Sequence, residues 1–164
     1  MKGKWAAGIA PRNFAWVIKG RIAISERPGG YSRNHRKVRR SEEIIWLREQ
    51  GFTRVVSLLP SMHNLHAYDE MGVVWSHTPF SPADDAKAVL TDLYARFHEW
   101  QVAGEQVLVH QEELGDRLVG AVGGYLIATR LLDSGPQAVV VMERLTGRQL
   151  GPVGRELISL AGDL

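Results

Sequence analysis

Short apolar runs alternate with apolar segments of helical period along most of this chain, and the alternation predicts its fold. Strands are predicted in residues 13–25, 53–59, 73–80 and 107–109. The first of these runs is divided by Gly20, which indicates two short strands joined by a turn. Helices are predicted near residues 41–51, 86–100, 117–132, 135–145 and 152–160. Because strands that alternate with helices form βαβ units, we predict an α/β fold with a mostly parallel central sheet and helices on both faces.

Local signals predict where several helices begin and end. Ser41 can accept from first-turn amides as an N-cap, and Gly51 is suited to end the same helix. Asp84 or Asp85 is predicted to cap the long helix that follows. The last two predicted helices each carry proline in the first turn, where its missing N–H is tolerated. Small residues in the helix that starts near residue 117 predict close approach to the sheet.

Composition limits the classes of protein to consider. The chain has 164 residues, 45% of them hydrophobic and 23% charged, which predicts a single globular domain over residues 1–164. Its apolar runs fall short of the roughly 18 residues that span a bilayer, and the first ten residues do not resemble a signal peptide, so we expect a cytoplasmic protein with no membrane insertion. A net charge of +2 says little about partners.

The apolar run of residues 107–109 ends abruptly in polar residues, and a helical pattern begins at Leu118. This order predicts a strand, a tight loop and a helix. The N-terminus of a helix favours anions, and Arg117 can offer two donors to a phosphate group. The loop is therefore the candidate binding site, formed by His110, Gln111, Glu112, Glu113, Leu114, Gly115, Asp116 and Arg117.

Three segments of the chain resemble one enzyme family. His110, one residue, five further residues and Arg117 resemble the His-Cys-(five residues)-Arg signature of the protein tyrosine and dual-specificity phosphatases. Residues 13–23 (Asn-Phe-Ala-Trp-Val to Gly-Arg-Ile-Ala) and residues 51–58 (Gly-Phe-Thr-Arg-Val-Val-Ser-Leu) resemble the atypical dual-specificity phosphatases in the same order. The resemblance covers about residues 12–160 and implies the phosphatase fold, with Arg117 as the phosphate-loop arginine and no cofactor.

The position that the resemblance assigns to the nucleophilic cysteine holds Gln111. In that family a thiolate attacks phosphorus, and an amide has no nucleophilic atom that ionises near neutral pH. The whole chain contains no cysteine, so no other thiol can replace it. The sequence therefore predicts a pseudophosphatase, a protein that acts by binding or regulation rather than by hydrolysis.

Further departures point the same way. Leu114 stands where the family has glycine, and Leu118 stands where it has the Ser or Thr that helps the thiol leave. Three carboxylates also enter the loop, and each opposes a bound dianion by about 1 to 4 kcal/mol at intermediate dielectric. They belong to Glu112, Glu113 and Asp116. We expect Arg117 to pair with Glu112 or Asp116 instead of facing an open site.

Other residues are considered as a general acid, as an alternative nucleophile or as metal ligands. The family carries a general-acid aspartate before the signature, and Asp84 and Asp85 are the candidate acids in the loop of residues 78–85. An active phosphohydrolase that uses the loop carboxylates, or a metal held by them, is the alternative function. His63 and His66 have helical spacing, but no carboxylate or cysteine cluster accompanies them, so no metal site is predicted.

A basic segment offers a second alternative function. Five cations fall within eight positions, namely Arg33, Arg36, Lys37, Arg39 and Arg40. Such a patch can bind nucleic acid or an acidic partner with an affinity that falls steeply with salt. The alternative interpretation is a solvated loop and helix start. The partner, which the sequence does not identify, is expected to be a phosphorylated or acidic macromolecule.

Overall fold

The computed structural model describes residues 8–30, 37–62 and 65–164. These residues form five strands: β1 (Ala15–Ile18), β2 (Ile22–Glu26), β3 (Arg54–Ser57), β4 (Val74–His77) and β5 (Val107–Gln111). They also form six helices: α1 (Lys37–Glu49), α2 (His66–Glu70), α3 (Ala86–Val102), α4 (Asp116–Ala128), α5 (Gly135–Thr146) and α6 (Pro152–Ala161). No helix in these three ranges combines the length and apolar character needed to cross a membrane.

The strands form one sheet in the order β1-β2-β5-β3-β4. β1 is antiparallel to β2, and all other neighbours are parallel, which confirms the predicted mostly parallel sheet. In this register Gln111 lies beside Glu26, and His110 lies beside Ser57, which lies beside His77. The carboxyl ends of four strands therefore meet at one edge, and the loop that follows β5 leaves from the middle of it.

Each face of the sheet is covered by helices, as predicted. The larger core lies between the sheet and helices α3 to α6 and includes Phe97, Leu118 and Met142. The smaller core lies under α1 and α2, where Trp16 stacks on Phe52 with ring centroids 5.1 Å apart. Burial of both faces explains the apolar starts of β2 (Ile-Ala-Ile) and β5 (Val-Leu-Val), which lie inside the sheet.

Most signals for turns and helix ends act as the sequence predicts, and the predicted N-cap at Ser41 does not. Gly20 has a φ of +77° in the turn between β1 and β2. The carboxylate of Asp85 accepts from the Lys87 amide at 3.1 Å and caps α3. Ser41, however, lies inside α1, which already begins at Lys37, and its hydroxyl donates to the Lys37 carbonyl at 3.2 Å. A serine inside a helix can bond its own preceding turn in this way, so the predicted N-cap was wrong.

The glycines of α4 permit close approach, but to helices instead of to the sheet. A Cβ atom added to Gly120 would lie 2.5 Å from the Cα atom of Gly154 in α6, which is too close for any side chain. A Cβ atom on Gly124 would lie 2.6 Å from the Cβ atom of Ala161. The predicted partner was therefore wrong, because a run of small residues indicates tight packing without indicating the neighbour.

Candidate functional site

The candidate site is the loop of residues 112–115 that joins β5 to α4. Its polar residues follow β5 directly, and Leu114 turns inward and is buried in the larger core. Gly115 precedes the first turn of α4 in an extended conformation, and its amide donates to the Glu113 carbonyl at 2.9 Å. The predicted strand, loop and helix are therefore all present, and the helix N-terminus lies at the loop.

Gln111 and Arg117, the two positions of the predicted signature, both contact Phe80. The side-chain amide of Gln111 donates to the Phe80 carbonyl at 3.0 Å. The guanidinium carbon of Arg117 lies 5.0 Å from the centroid of the Phe80 ring, a cation–π distance. Phe80 is buried and lies in the loop before α3, so these contacts join that loop to the end of β5 and the start of α4.

Glu112 forms an ion pair with a residue that the sequence did not indicate. Its Oε1 atom lies 3.1 Å from Nη1 of Arg27, the first residue after β2. The Arg27 side chain is only 10% exposed, whereas that of Glu112 is 47% exposed. The Arg27 amide also donates to the Glu112 carbonyl at 3.4 Å. Only the adjacency of β2 and β5 places these residues together, so their separation in the sequence concealed the pair.

Asp116 caps a helix other than its own. Its two carboxylate oxygens accept from the Gly151 amide at 2.6 Å and the Gly154 amide at 2.5 Å, at the start of α6. The expected pairing of Arg117 with Glu112 or Asp116 was therefore wrong, because both carboxylates bind other donors. Arg148 donates to the Leu114 carbonyl, and a cavity of about 340 Å³ lies between this part of the loop and the segment before α6.

His110 is buried at the end of β5 and is neutral. Its Nδ1 atom donates to the Gln111 carbonyl at 3.2 Å, and its Nε2 atom has no hydrogen-bond partner within the described residues. Burial is the main cause that lowers the pKa of His110 to about 4; the hydrogen bond to the Gln111 carbonyl opposes this shift, and electrostatic interactions with Arg27 and His77 add to it. The imidazole therefore contributes no positive charge to the loop near neutral pH.

The candidate acids both form local hydrogen bonds. Asp85 holds the first turn of α3, as described above. Asp84 accepts from the Ser81 amide at 2.7 Å and from the Ser81 hydroxyl at 3.0 Å. The predicted cap is confirmed for Asp85. A role for either carboxylate as a general acid stays a prediction.

The basic segment is only partly described, since Arg33 and Arg36 lie outside the described residues. Lys37 is exposed at the start of α1. Arg39 pairs with the buried carboxylate of Glu43 at 3.2 Å, and that carboxylate also accepts from the Gly29 amide at 2.8 Å. Burial raises the pKa of Glu43. Arg39 therefore has a structural partner, and binding of an acidic partner by Arg33, Arg36, Lys37, Arg39 and Arg40 stays a prediction.

Only one of the two histidines considered as metal ligands, His66, is described by the structure. His63 lies outside the described residues. Within the parts of the chain that the structure describes, no group of three histidine or carboxylate side chains is arranged to hold a metal ion.

Comparison with known proteins places this architecture. No family model matches the sequence, and no curated protein matches it. Among solved structures, Tk-PTP in its active form has a TM-score of 0.73 at 19% identity, covering 92% of this chain and 97% of that one. The chain has the dual-specificity phosphatase fold. Human DUSP28 gives 0.70 at 18% identity over 94% and 97% of the two chains.

A third structural neighbour lacks its catalytic thiol by substitution. The kinase associated phosphatase with serine in place of its catalytic-site cysteine has a TM-score of 0.74 at 16% identity, covering 94% of this chain and 99% of that one. These likenesses confirm the predicted phosphatase fold. At such low identity they do not extend to the chemistry of this chain, which its own residues must support.

Proposed function

We propose that this chain is a catalytically inactive protein of the dual-specificity phosphatase fold that acts as a binding or regulatory module. Gln111 carries the proposal, because it occupies the position of the nucleophile in a chain without cysteine. Its amide nitrogen already donates a hydrogen bond to the Phe80 carbonyl. An amide held in this way has neither the thiolate nor the ionisable proton that covalent attack on phosphorus requires.

The position of Arg117 supports the same conclusion. In a working phosphate loop the arginine would offer two parallel N–H donors to the substrate. Here its guanidinium lies over the Phe80 ring. Glu113 is exposed in the same loop, and an ionised carboxylate within a few ångströms of a dianion opposes binding by about 1 to 4 kcal/mol.

The residue after Arg117 also lacks a group that the phosphatases use in catalysis. Leu118 is fully buried and supplies no hydroxyl at the position where the phosphatases use one. A thiol restored at position 111 would therefore lack the hydroxyl that helps it to leave. The loss of function that we propose is distributed over several positions.

Hydrolysis of an aryl phosphate tests the proposal directly. We expect no turnover by the purified protein above the rate in buffer. Arg117→Ala is the matched control, because a contaminating phosphatase would be unaffected by this substitution. Turnover that persists through purification and disappears in Arg117→Ala would overturn the proposal.

Gln111→Cys asks whether the missing thiol is the whole defect. We expect this variant to remain inactive, because Glu112, Glu113 and Leu118 are unchanged and a thiolate is disfavoured near carboxylates. The measurement is the same aryl phosphate assay, with the protein kept reduced. A normal phosphatase rate after this one substitution would show that the acidity of the loop does not prevent catalysis.

The alternative function, a phosphohydrolase with a carboxylate or metal-assisted mechanism, gains no support from the described geometry. Asp116 is committed to α6 and Glu112 to Arg27. Glu113 is the loop carboxylate that remains exposed. Metal-dependent turnover that is lost in Glu113→Ala would restore this alternative.

A further inference from the structure

The ion pair between Arg27 and Glu112 is asymmetric in its exposure to water. The Arg27 side chain is 10% exposed and the Glu112 side chain 47% exposed, although their charged atoms are 3.1 Å apart. A buried guanidinium without a counter-anion is costly, whereas a half-exposed carboxylate can be hydrated. The arginine therefore requires an anion, but the structure does not require that the anion be Glu112.

The neighbouring carboxylates have other partners. Glu26 accepts from the side-chain amide of Asn13, and Glu43 accepts from the Gly29 amide and from Arg39. Within the described residues, the carboxylate that contacts the Arg27 guanidinium is that of Glu112. Movement of this one side chain into solvent would leave the guanidinium facing the loop.

The pair also lies at the carboxyl-terminal edge of the sheet, with Glu112 half-exposed. β2 and β5 are parallel, with Glu26 beside Gln111, so Arg27 and Glu112 are the first residues beyond the carboxyl ends of adjacent strands. Ligands of open α/β sheets characteristically bind outside the carboxyl ends of the strands. Arg27 is thus placed at the binding edge, although it lies far from the signature in sequence.

We infer that Arg27 anchors a binding site for a phosphate group and that Glu112 is its built-in competitor. The inference rests on the proposed binding function, and it names the ligand class and a residue that regulates access. A phosphate offers the guanidinium paired acceptors, as the carboxylate does, and carries more negative charge. Binding exchanges one anion for another at Arg27 and returns Glu112 to water.

Titration with inorganic phosphate at constant ionic strength, followed by calorimetry, tests the site. We expect Glu112→Ala to bind phosphate at least about tenfold more tightly than the unchanged protein, because the competitor is absent. Glu113→Ala is the matched control, since it removes an equal charge from the same loop without releasing Arg27. We expect its affinity to rise by less than about threefold.

A double variant identifies the anchoring group. Arg27→Met together with Glu112→Ala removes both charges, a change that buried pairs often tolerate, and it should abolish the gained affinity. Retained affinity in the double variant would overturn the inference. So would equal affinities of Glu112→Ala and Glu113→Ala.

Thermal unfolding provides a second measurement, and it can use a milder variant if Glu112→Ala folds poorly. Phosphate should raise the Tm of Glu112→Ala, or of the milder Glu112→Gln, more than that of Glu113→Ala, because a ligand that binds only the folded state stabilises it. Equal shifts in all variants would contradict the inference. Chloride at matched ionic strength controls for general salt effects.

Two further measurements identify the source of the phosphate group and distinguish failure of the inference about Arg27 from failure of the proposed function. Binding of phenyl phosphate to Glu112→Ala would support a phosphate monoester as the ligand, whereas binding of inorganic phosphate alone would support a free anion at the same site. Hydrolysis of phenyl phosphate by the unchanged protein would overturn the proposed function. Absence of hydrolysis with no gain of affinity in Glu112→Ala would overturn only the inference about Arg27.

Discussion

Two arginines flank the loop, and their surroundings differ in nearly every respect. Arg117 was predicted to be the phosphate-loop arginine, yet its guanidinium lies over the Phe80 ring. Arg27 belongs to no motif, yet it is buried and paired with a loop carboxylate at 3.1 Å. The position of an arginine in a sequence signature therefore does not determine its contacts. They are determined by the partners that the fold places nearby.

The cause lies in competition for the loop carboxylates. Asp116 precedes Arg117 directly, but two backbone amides of α6 hold both of its oxygens. Glu112 lies on the side of the loop that faces β2, where Arg27 is buried and has the greater need of a counter-anion. Arg117 is left with an aromatic ring, a contact worth about 0.5 to 1 kcal/mol.

The largest expected effect concerns His110, whose pKa Arg27 helps to lower. Burial holds the pKa of His110 at about 4 in the folded protein, against 6.5 in the unfolded chain, a difference that corresponds to about 3 kcal/mol. Since the unfolded chain binds the proton first, this stability is complete above pH 6.5 and is lost as the pH falls from 6.5 to about 4. Urea unfolding across this range measures it.

His110→Asn is the control for that measurement, because its amide can still donate where Nδ1 does but cannot take up a proton. Its stability should fall less steeply between pH 6.5 and 4 than that of the unchanged protein. Identical slopes for the two proteins would show that His110 does not titrate in this way.

The next effect compares the two arginines through their partners. Glu112→Ala leaves the buried Arg27 guanidinium unpaired and should lower the free energy of unfolding by about 2 kcal/mol. Arg117→Ala loses one contact with Phe80 and should cost about 0.5 to 1 kcal/mol. Urea unfolding at pH 7 gives both values, and an equal or larger cost for Arg117→Ala would contradict the comparison.

Asp116→Ala examines the interaction that keeps this carboxylate from Arg117. Loss of two hydrogen bonds at the start of α6 should cost about 1 to 2 kcal/mol in urea unfolding. Asp85→Ala is a matched control, since the N-cap of α3 loses one bond of 3.1 Å. If Asp116→Ala cost no more than Asp85→Ala, the cap on α6 would not explain why Asp116 leaves Arg117 unpaired.

The smallest expected effect distinguishes the two arginines by their influence on the pKa of His110. Arg27→Met removes a cation that lowers the pKa of His110, so that pKa should rise. Arg117→Ala should leave it unchanged, because Arg117 is not among the groups that shift it. Titration of the imidazole proton resonances by NMR measures both variants, and a rise in Arg117→Ala alone would reverse the assignment.

Much of the fold followed from local pattern. The apolar runs predicted the strands, Gly20 predicted the first turn, and Asp85 or its neighbour was predicted to cap α3. These features depend on residues close together in the chain, so their physical causes can be read from a short window. The start of α1 was the exception, because Ser41 can bond inside a helix as well as at its end.

The sequence by itself determined that this chain has no thiol, because it contains no cysteine. It also determined the polar loop between a buried strand and a helix. Only the tertiary structure decided that Glu112 pairs with Arg27, that Asp116 holds α6 and that Arg117 lies over Phe80. Each of these partners is brought near by strand order or helix packing, and long-range contacts of this kind leave no periodic signal in the chain.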